Sequence, residues 1–220
     1  MDKFEKLISL EEKPISPEDV SLIYECLTDE DALLRSEAVS LLSRPELKDT
    51  EKDLQILLSM CNDADALVRT EVYDVLSAFI DKRIPERLQK AILHEPDELA
   101  RSYAIMSWAD SVRRFTSDFS KPIAFIQKYQ KMETSESCLF AYAYAQYQFH
   151  NAGSLKKMLS FLNSKDYRIR CSVVNSFRFA NERDLPAICQ AFRNCYESEE
   201  TRAVRSVIES FFRFHNQYVL

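Results

Sequence analysis

The sequence predicts an all-α fold of consecutive helix pairs. Three observations carry this: a single glycine in 220 residues, a motif that returns about every 35 residues, and apolar residues spaced at the helical period. At an average usage near ~7%, a chain of this length would hold roughly 15 glycines. Hairpin turns, dinucleotide-binding turns and phosphate-cradling loops all need glycine for positive φ or close backbone approach. A chain whose only glycine is Gly153 therefore argues against an all-β fold and against Gly-rich nucleotide sites.

The repeat is read by aligning DALLRSEAVSLL (31–42), DALVRTEVYDVL (65–76), DELARSYAIMSW (97–108), DYRIRCSVVNSF (166–177) and ETRAVRSVIESFF (200–212). Each places an arginine ahead of a small or hydroxyl residue and then an apolar run. The arginines are Arg35, Arg69, Arg101, Arg170 and Arg205, at spacings of 34, 32, 69 and 35 residues. The long gap holds one more unit, SESCLFAYAYAQYQF (135–149), with Glu136 or Ser137 in the arginine's place. Six units follow, at about 15–45, 50–81, 85–112, 120–150, 154–181 and 184–215, within one domain over 1–220.

Each unit reads as two helices. The second begins at the motif, where Asp31, Asp65, Asp97 and Asp166 are placed to cap the helix N-terminus. The arginine four residues on lies on the same face, within reach of that Asp. Leu34, Ala38, Val39 and Leu42 show the buried stripe in the first unit. The first helices are predicted over 17–27, 52–61, 85–93, 121–132, 155–162 and 184–196. Ser16-Pro17-Glu18-Asp19 has the order of an N-cap, a proline at the first helical position and acids in the first turn. Pro85, Pro122 and Pro186 fall in the first turn of other predicted helices, where the missing N–H costs little. Phe4, Leu7 and Ile8 predict an extra N-terminal helix, and Phe211, Phe212, Phe214 and Tyr218 a final helix that must cover its own end. A pair of this size cannot bury its apolar face alone, so the pairs must stack.

The D-x-x-[VLI]-R motif opening the second helix, on this period, resembles HEAT and HEAT-like repeats of the bacterial short-repeat type, over residues 15–215. The resemblance implies a right-handed α-solenoid of about six helix pairs, with Asp–Arg pairs linking successive units. It also implies a groove, lined by the second helices, that binds another macromolecule. A minority of the family are enzymes or enzyme-associated, including alkylated-DNA glycosylases and phycobilin lyases, and fold alone does not choose among these roles.

Charge is split along the chain. Residues 1–110 carry 13 Lys+Arg against 25 Asp+Glu, whereas residues 111–220 carry 16 against 10. Such a polarity offers different partners to the two halves. The first thirteen residues are charged throughout and lack a signal-peptide core, and the six cysteines form no C-x-x-C pair, so a reducing cytoplasmic setting without zinc is expected. His94, His150 and His215 have no ligand spacing to one another or to cysteine. No cofactor, no metal and no catalytic residue is expected.

Arg35, Arg69, Arg101 and Arg170 are expected to be structural, through pairing with Asp31, Asp65, Asp97 and Asp166. The partner surface is expected two and five residues after each arginine, on the stripe facing away from the core. It comprises Glu37, Glu71, Asp74, Tyr103, Met106, Tyr142 and Asn175, with Arg178 one turn further. This stripe runs from acidic through aromatic to basic, as a protein-binding surface could. The aromatics of the fourth unit (Phe140, Tyr142, Tyr144, Tyr147, Phe149) read equally as core or as a site. The leading expectation is a non-catalytic protein-binding scaffold. The alternatives are an inhibitor or immunity-type protein masking a basic partner, and a glycosylase-like enzyme using Trp108 or a groove tyrosine with Asp110. An acidic half and a pI near 5.3 argue against nucleic acid, and no membrane partner is expected.

Overall fold

A computed structural model describes residues 2–47 and 50–215. Among these residues there are thirteen α-helices and no strand. They are α1 (Lys3–Leu10), α2 (Pro17–Cys26), α3 (Ala32–Leu41), α4 (Thr50–Met60), α5 (Ala66–Leu76), α6 (Arg83–His94) and α7 (Glu98–Val112). Then come α8 (Ser120–Tyr129), α9 (Glu136–Gln148), α10 (Ser154–Ser160), α11 (Tyr167–Ser176), α12 (Leu185–Ser198) and α13 (Arg202–Phe214). The extra N-terminal helix is α1.

The chain gathers into two compact units, one up to Ala141 and one from Tyr142 onward. In the first, α1 packs on α3, each of α2, α4 and α6 on the helix that follows it, and α3, α5 and α7 lie side by side. Its core holds Ile23, Leu42, Leu57, Leu76, Leu88 and Ile105, all fully buried. In the second, α11 and α12 pack on α13. Phe177, Phe192 and Phe211 stack edge to face there at 6.1 and 4.8 Å between ring centres, a favoured aromatic geometry.

Local chemistry explains the helix ends. Ser16 and Asp19 form a reciprocal capping box with Pro17 at the first helical position, which satisfies two of the amides a helix start leaves open. Asp31, Asp65 and Asp166 accept from the amides of Leu33, Leu67 and Arg168 at 2.9, 2.8 and 2.9 Å. Asp97 accepts from Ala100 N at 2.9 Å. Gly153, at φ 78° just before α10, takes the left-handed backbone that only glycine adopts freely.

At the N-terminus Leu7 is buried, while Phe4 and Ile8 face outward. At the other end Phe211 and Phe212 are buried and Phe214 is half exposed; Tyr218 lies outside the described residues. The aromatics of α9 are core rather than surface: Phe140, Tyr142, Tyr144 and Phe149 are all buried. Tyr147 donates to Asp184 Oδ2 at 2.9 Å and meets the Phe177 ring edge-on.

These caps yield a first test. Asp31→Ala should lower unfolding free energy by about 1 kcal/mol, and Asp31→Asn by a few tenths, because asparagine caps nearly as well. Urea denaturation of the two variants checks this. Equal losses would mean that the charge of Asp31 matters and not its cap.

Candidate partner-binding groove

The arginines do not pair with the aspartates four residues before them. Arg35 reaches forward to Asp63, with Nε and Nη2 at 2.9 and 2.8 Å from its carboxylate oxygens. Arg69 holds Glu95 in the same two-pronged way at 2.7 and 2.6 Å. Arg101 holds Glu133 at 3.1 and 3.3 Å, and Arg170 holds Glu199 at 2.7 and 2.9 Å. The remaining nitrogen of each guanidinium donates backward, to the carbonyl six residues before it: Asp29, Asp63, Glu95 and Ser164. Asp31, Asp65 and Asp97 are thereby left as helix caps, and Asp166 pairs instead with the exposed Arg168 at 2.7 Å. The physical reason is geometric. An N-cap side chain turns toward its own helix's first amides, so it is not free to lie along the face the arginine occupies.

The acid that each arginine grips stands two residues before the next N-cap and accepts that residue's amide as well. Asp63, Glu95, Glu133 and Glu199 do so at 2.9, 3.0, 2.9 and 2.8 Å. Asp29, whose carboxylate pairs with Lys3 and not with an arginine, accepts the Asp31 amide at 3.1 Å, and the Ser164 hydroxyl accepts the Asp166 amide at 3.1 Å. Counted from Ser135, which precedes α9, the arginine position of the fourth unit is Leu139, not Glu136 or Ser137. Its counterpart two residues before Asp166 is Ser164, so the basic and the acidic member are missing from the pattern together. Hydrogen bonding overrides burial in this ladder. The Arg170 guanidinium takes Glu199 down to about 2. Burial opposes charge on Glu95, yet Arg69, the Asp97 amide and Tyr73 together hold it below the usual carboxylate range.

With its arginines consumed inside the ladder, the second-helix face of the first unit is left acidic. A groove of about 410 Å³ opens there, lined by Glu11 at the end of α1, Ser40 and Arg44 beside α3, and Glu71 and Asp74 on α5. Glu37, one turn before Ser40, neighbours Glu11 and Glu71. Burial pushes Glu71 up to about 7, with repulsion from Asp74, Glu37 and Glu11 adding to it. Burial also raises Glu37, helped by Glu11. The Glu37 Oε1 atom is buried with no hydrogen-bond partner among the described residues. Asp74 touches solvent, but the groove walls exclude enough water to raise it too. Tyr103 on α7 is half exposed and is raised by burial and by Asp74 and Glu71.

None of Glu11, Glu37, Glu71 and Asp74 forms an ion pair with a described residue. Arg44, a cation lining the groove, is already spent. It donates to the carbonyls of Leu10, Glu11 and Lys13 and pairs with Glu46.

The structure brings together Glu37, Glu71, Asp74 and Tyr103, with Met106 half-buried on the same helix as Tyr103. Glu11 is absent from the stripe that the repeat predicts, because that stripe belongs to second helices and α1 lies outside the repeat. Tyr142 is only 3% exposed and does not join a surface stripe. It sits on α9, whose aromatics are packed as core. Asn175 and Arg178 are exposed but belong to the second unit, where Arg178 lies over the rings of Phe214 and Phe179. Trp108 is 3% exposed and packs on Phe125 at 5.1 Å, so it presents no stacking face to a nucleic acid. No three His, Cys, Asp or Glu side chains are grouped to hold a metal among the described residues. No helix among them is long and apolar enough to cross a membrane.

Helix pairs stacked in register, with an arginine ladder between them, define an α-repeat protein of the solenoid class. The family model for HEAT repeats matches residues 17–109, so this stretch of the chain is similar to HEAT repeats. One similar solved structure is a crystal structure of an engineered protein from a structural genomics consortium. It is 13% identical, covers 91% of this chain and 99% of its own, and has a TM-score of 0.46. No curated protein matches the chain.

Proposed function

We propose that this protein is a non-catalytic scaffold that holds a basic segment of a partner protein in the groove between α3, α5 and the end of α1. One observation carries the reading: Glu11, Glu71 and Asp74 line this groove, Glu37 adjoins them, and none of the four forms an ion pair with a described residue. Holding a carboxylate in a water-poor groove beside other acids costs folding energy, and Glu71 shows that cost in its raised pKa, through burial first and its neighbours second. A lysine or arginine entering the groove would remove the repulsion and satisfy the buried Glu37 oxygen. Tyr103 and Met106 on the adjacent helix supply apolar contact beside the charges, the mixture found at interface anchors. A protein that masks a basic surface on its partner uses the same chemistry, and this is the form of the scaffold reading that the groove supports. The described cysteines are free thiols, in keeping with a reducing, cytoplasmic setting.

The test is a double charge reversal, Glu71→Lys with Asp74→Lys, against a synthetic fifteen-residue peptide of alternating lysine and alanine. Stopped-flow association at low salt should slow at least tenfold, and the remaining rate should depend less on ionic strength. An unchanged association rate would remove the groove as the binding site.

A further inference from the structure

The second residue of each second helix in the first unit is a leucine: Leu33 on α3, Leu67 on α5 and Leu99 on α7. They are 51%, 44% and 53% exposed. Single exposed leucines are common and mean little. Three at one register position in successive repeats are a pattern, and an aligned apolar row marks an interaction surface. Register is fixed by the caps, since each leucine stands two residues after Asp31, Asp65 or Asp97, the N-caps of these helices. α3 packs on α5 and α5 on α7, so the three side chains form a row along one edge of the first unit. The same position in later repeats holds Ser137, Arg168 and Ala203, so the row is confined to the first three.

The charge beside the row is of one sign. Glu30, Asp31, Asp65 and Glu98 are exposed along it. The arginines two residues after these leucines, Arg35, Arg69 and Arg101, are turned inward onto Asp63, Glu95 and Glu133, with side chains only 15%, 13% and 19% exposed. Packed helices lie about 8–10 Å apart. Two turns of an α-helix advance about 10.5 Å, so a helix with an apolar residue at every seventh position would meet all three leucines in turn.

From this match of spacing and charge we propose that Leu33, Leu67 and Leu99 form a docking row for a basic amphipathic helix of a partner protein. The row stands one turn before Glu37, Glu71 and Tyr103 on the same helix faces and so borders the groove; it is argued from the exposed leucines and not from the function proposed for the groove.

The probe is a synthetic 21-residue helical peptide with leucine at every seventh position and lysines flanking each leucine. Two further peptides replace the lysines by glutamate, or the leucines by glutamine. Methyl NMR of the wild-type protein should show the lysine peptide shifting Leu33, Leu67 and Leu99, and both altered peptides should bind at least tenfold more weakly. The variant with Leu33→Ser, Leu67→Ser and Leu99→Ser should lose affinity for the lysine peptide by a similar factor. In the groove variant Glu71→Lys with Asp74→Lys the lysine peptide should bind more weakly, since these acids stand within about two turns of the row, yet its remaining shifts should stay on Leu33, Leu67 and Leu99. Shifts confined to the groove helices beyond the leucines would assign the peptide to the groove instead. Equal binding of the lysine and glutamate peptides, or shifts elsewhere only, would overturn the proposal. So would sedimentation showing a dimer that the serine variant disperses, since the row would then be occupied by a second copy of the chain. The peptide series uses the wild-type protein, so the test stands even if the triple variant folds poorly.

Discussion

Arg69→Ala should lower the unfolding free energy at pH 7 by about 3–5 kcal/mol, the usual loss when one member of a buried ion pair is removed. The Glu95 side chain is only 2% exposed and that of Arg69 13%. Removing the guanidinium deletes two bonds to the Glu95 carboxylate and the bonds to the carbonyls of Asp63 and Ala64. What stays behind is a buried carboxylate held only by Tyr73 at 3.0 Å and the Asp97 amide at 3.0 Å.

The pH dependence follows from the sign of the shift. In the native protein Glu95 titrates below its ordinary value, so its contribution is present above the unfolded carboxylate pKa and fades as pH falls through the folded one. In the variant the unpaired acid escapes its burial by taking up a proton. The difference between variant and wild type should therefore be greatest near neutrality and shrink below about pH 4. Urea melts at pH 7 and pH 4 check both statements. Affinity for a basic peptide should change far less than stability, because Arg69 lies in the ladder and not in the groove. An unchanged melt with lost binding would reverse that assignment.

Glu71→Gln should stabilise the protein at pH 8 by about 2–3 kcal/mol and leave it unchanged at pH 4. Glu71 titrates at about 7 in the fold against an ordinary 4.5. Its folded form thus holds a proton over a range where the unfolded chain has released it. Stability must fall as pH rises from about 4.5 to 7, and the loss persists above that range. Glutamine keeps the shape and removes the titration, so the slope should flatten between those values. Parallel stability curves for variant and wild type would show that neither burial nor the neighbouring acids disfavour the charged form of Glu71. The gain at high pH should come with weaker binding of basic ligands, since the repulsion a cation would relieve is then smaller. A site kept at the expense of stability is expected where function needs it.

Much of the fold was legible because the signals are local and repeated. The caps at Asp31, Asp65, Asp97 and Asp166, the box at Ser16–Asp19 and the apolar stripes act within one or two turns. The ladder was half legible. Its arginines stand out, but the motif points each to the aspartate four residues back, at the start of the same helix. The true partner lies 26–32 residues ahead for Arg35, Arg69, Arg101 and Arg170. The signal for it was in the alignment: an acid two residues before the N-cap in five of the six units (Asp29, Asp63, Glu95, Glu133, Glu199). The groove was legible in Glu37, Glu71, Asp74 and Tyr103 and not in Glu11, which belongs to no repeat. The aromatics of α9 could not be assigned from spacing, since rings on several faces of a helix are buried or exposed according to what surrounds that helix.

The sequence by itself determined the class of fold, the helix boundaries and the acidic character of the first half, because capping, periodicity and charge depend on residues close along the chain. Only the tertiary structure decided which acid each arginine holds, which carboxyls meet without a cation, and that Tyr142 is core. Those outcomes turn on groups about a repeat apart being brought within hydrogen-bonding or Coulombic range, and on how much water the packed helices leave around them.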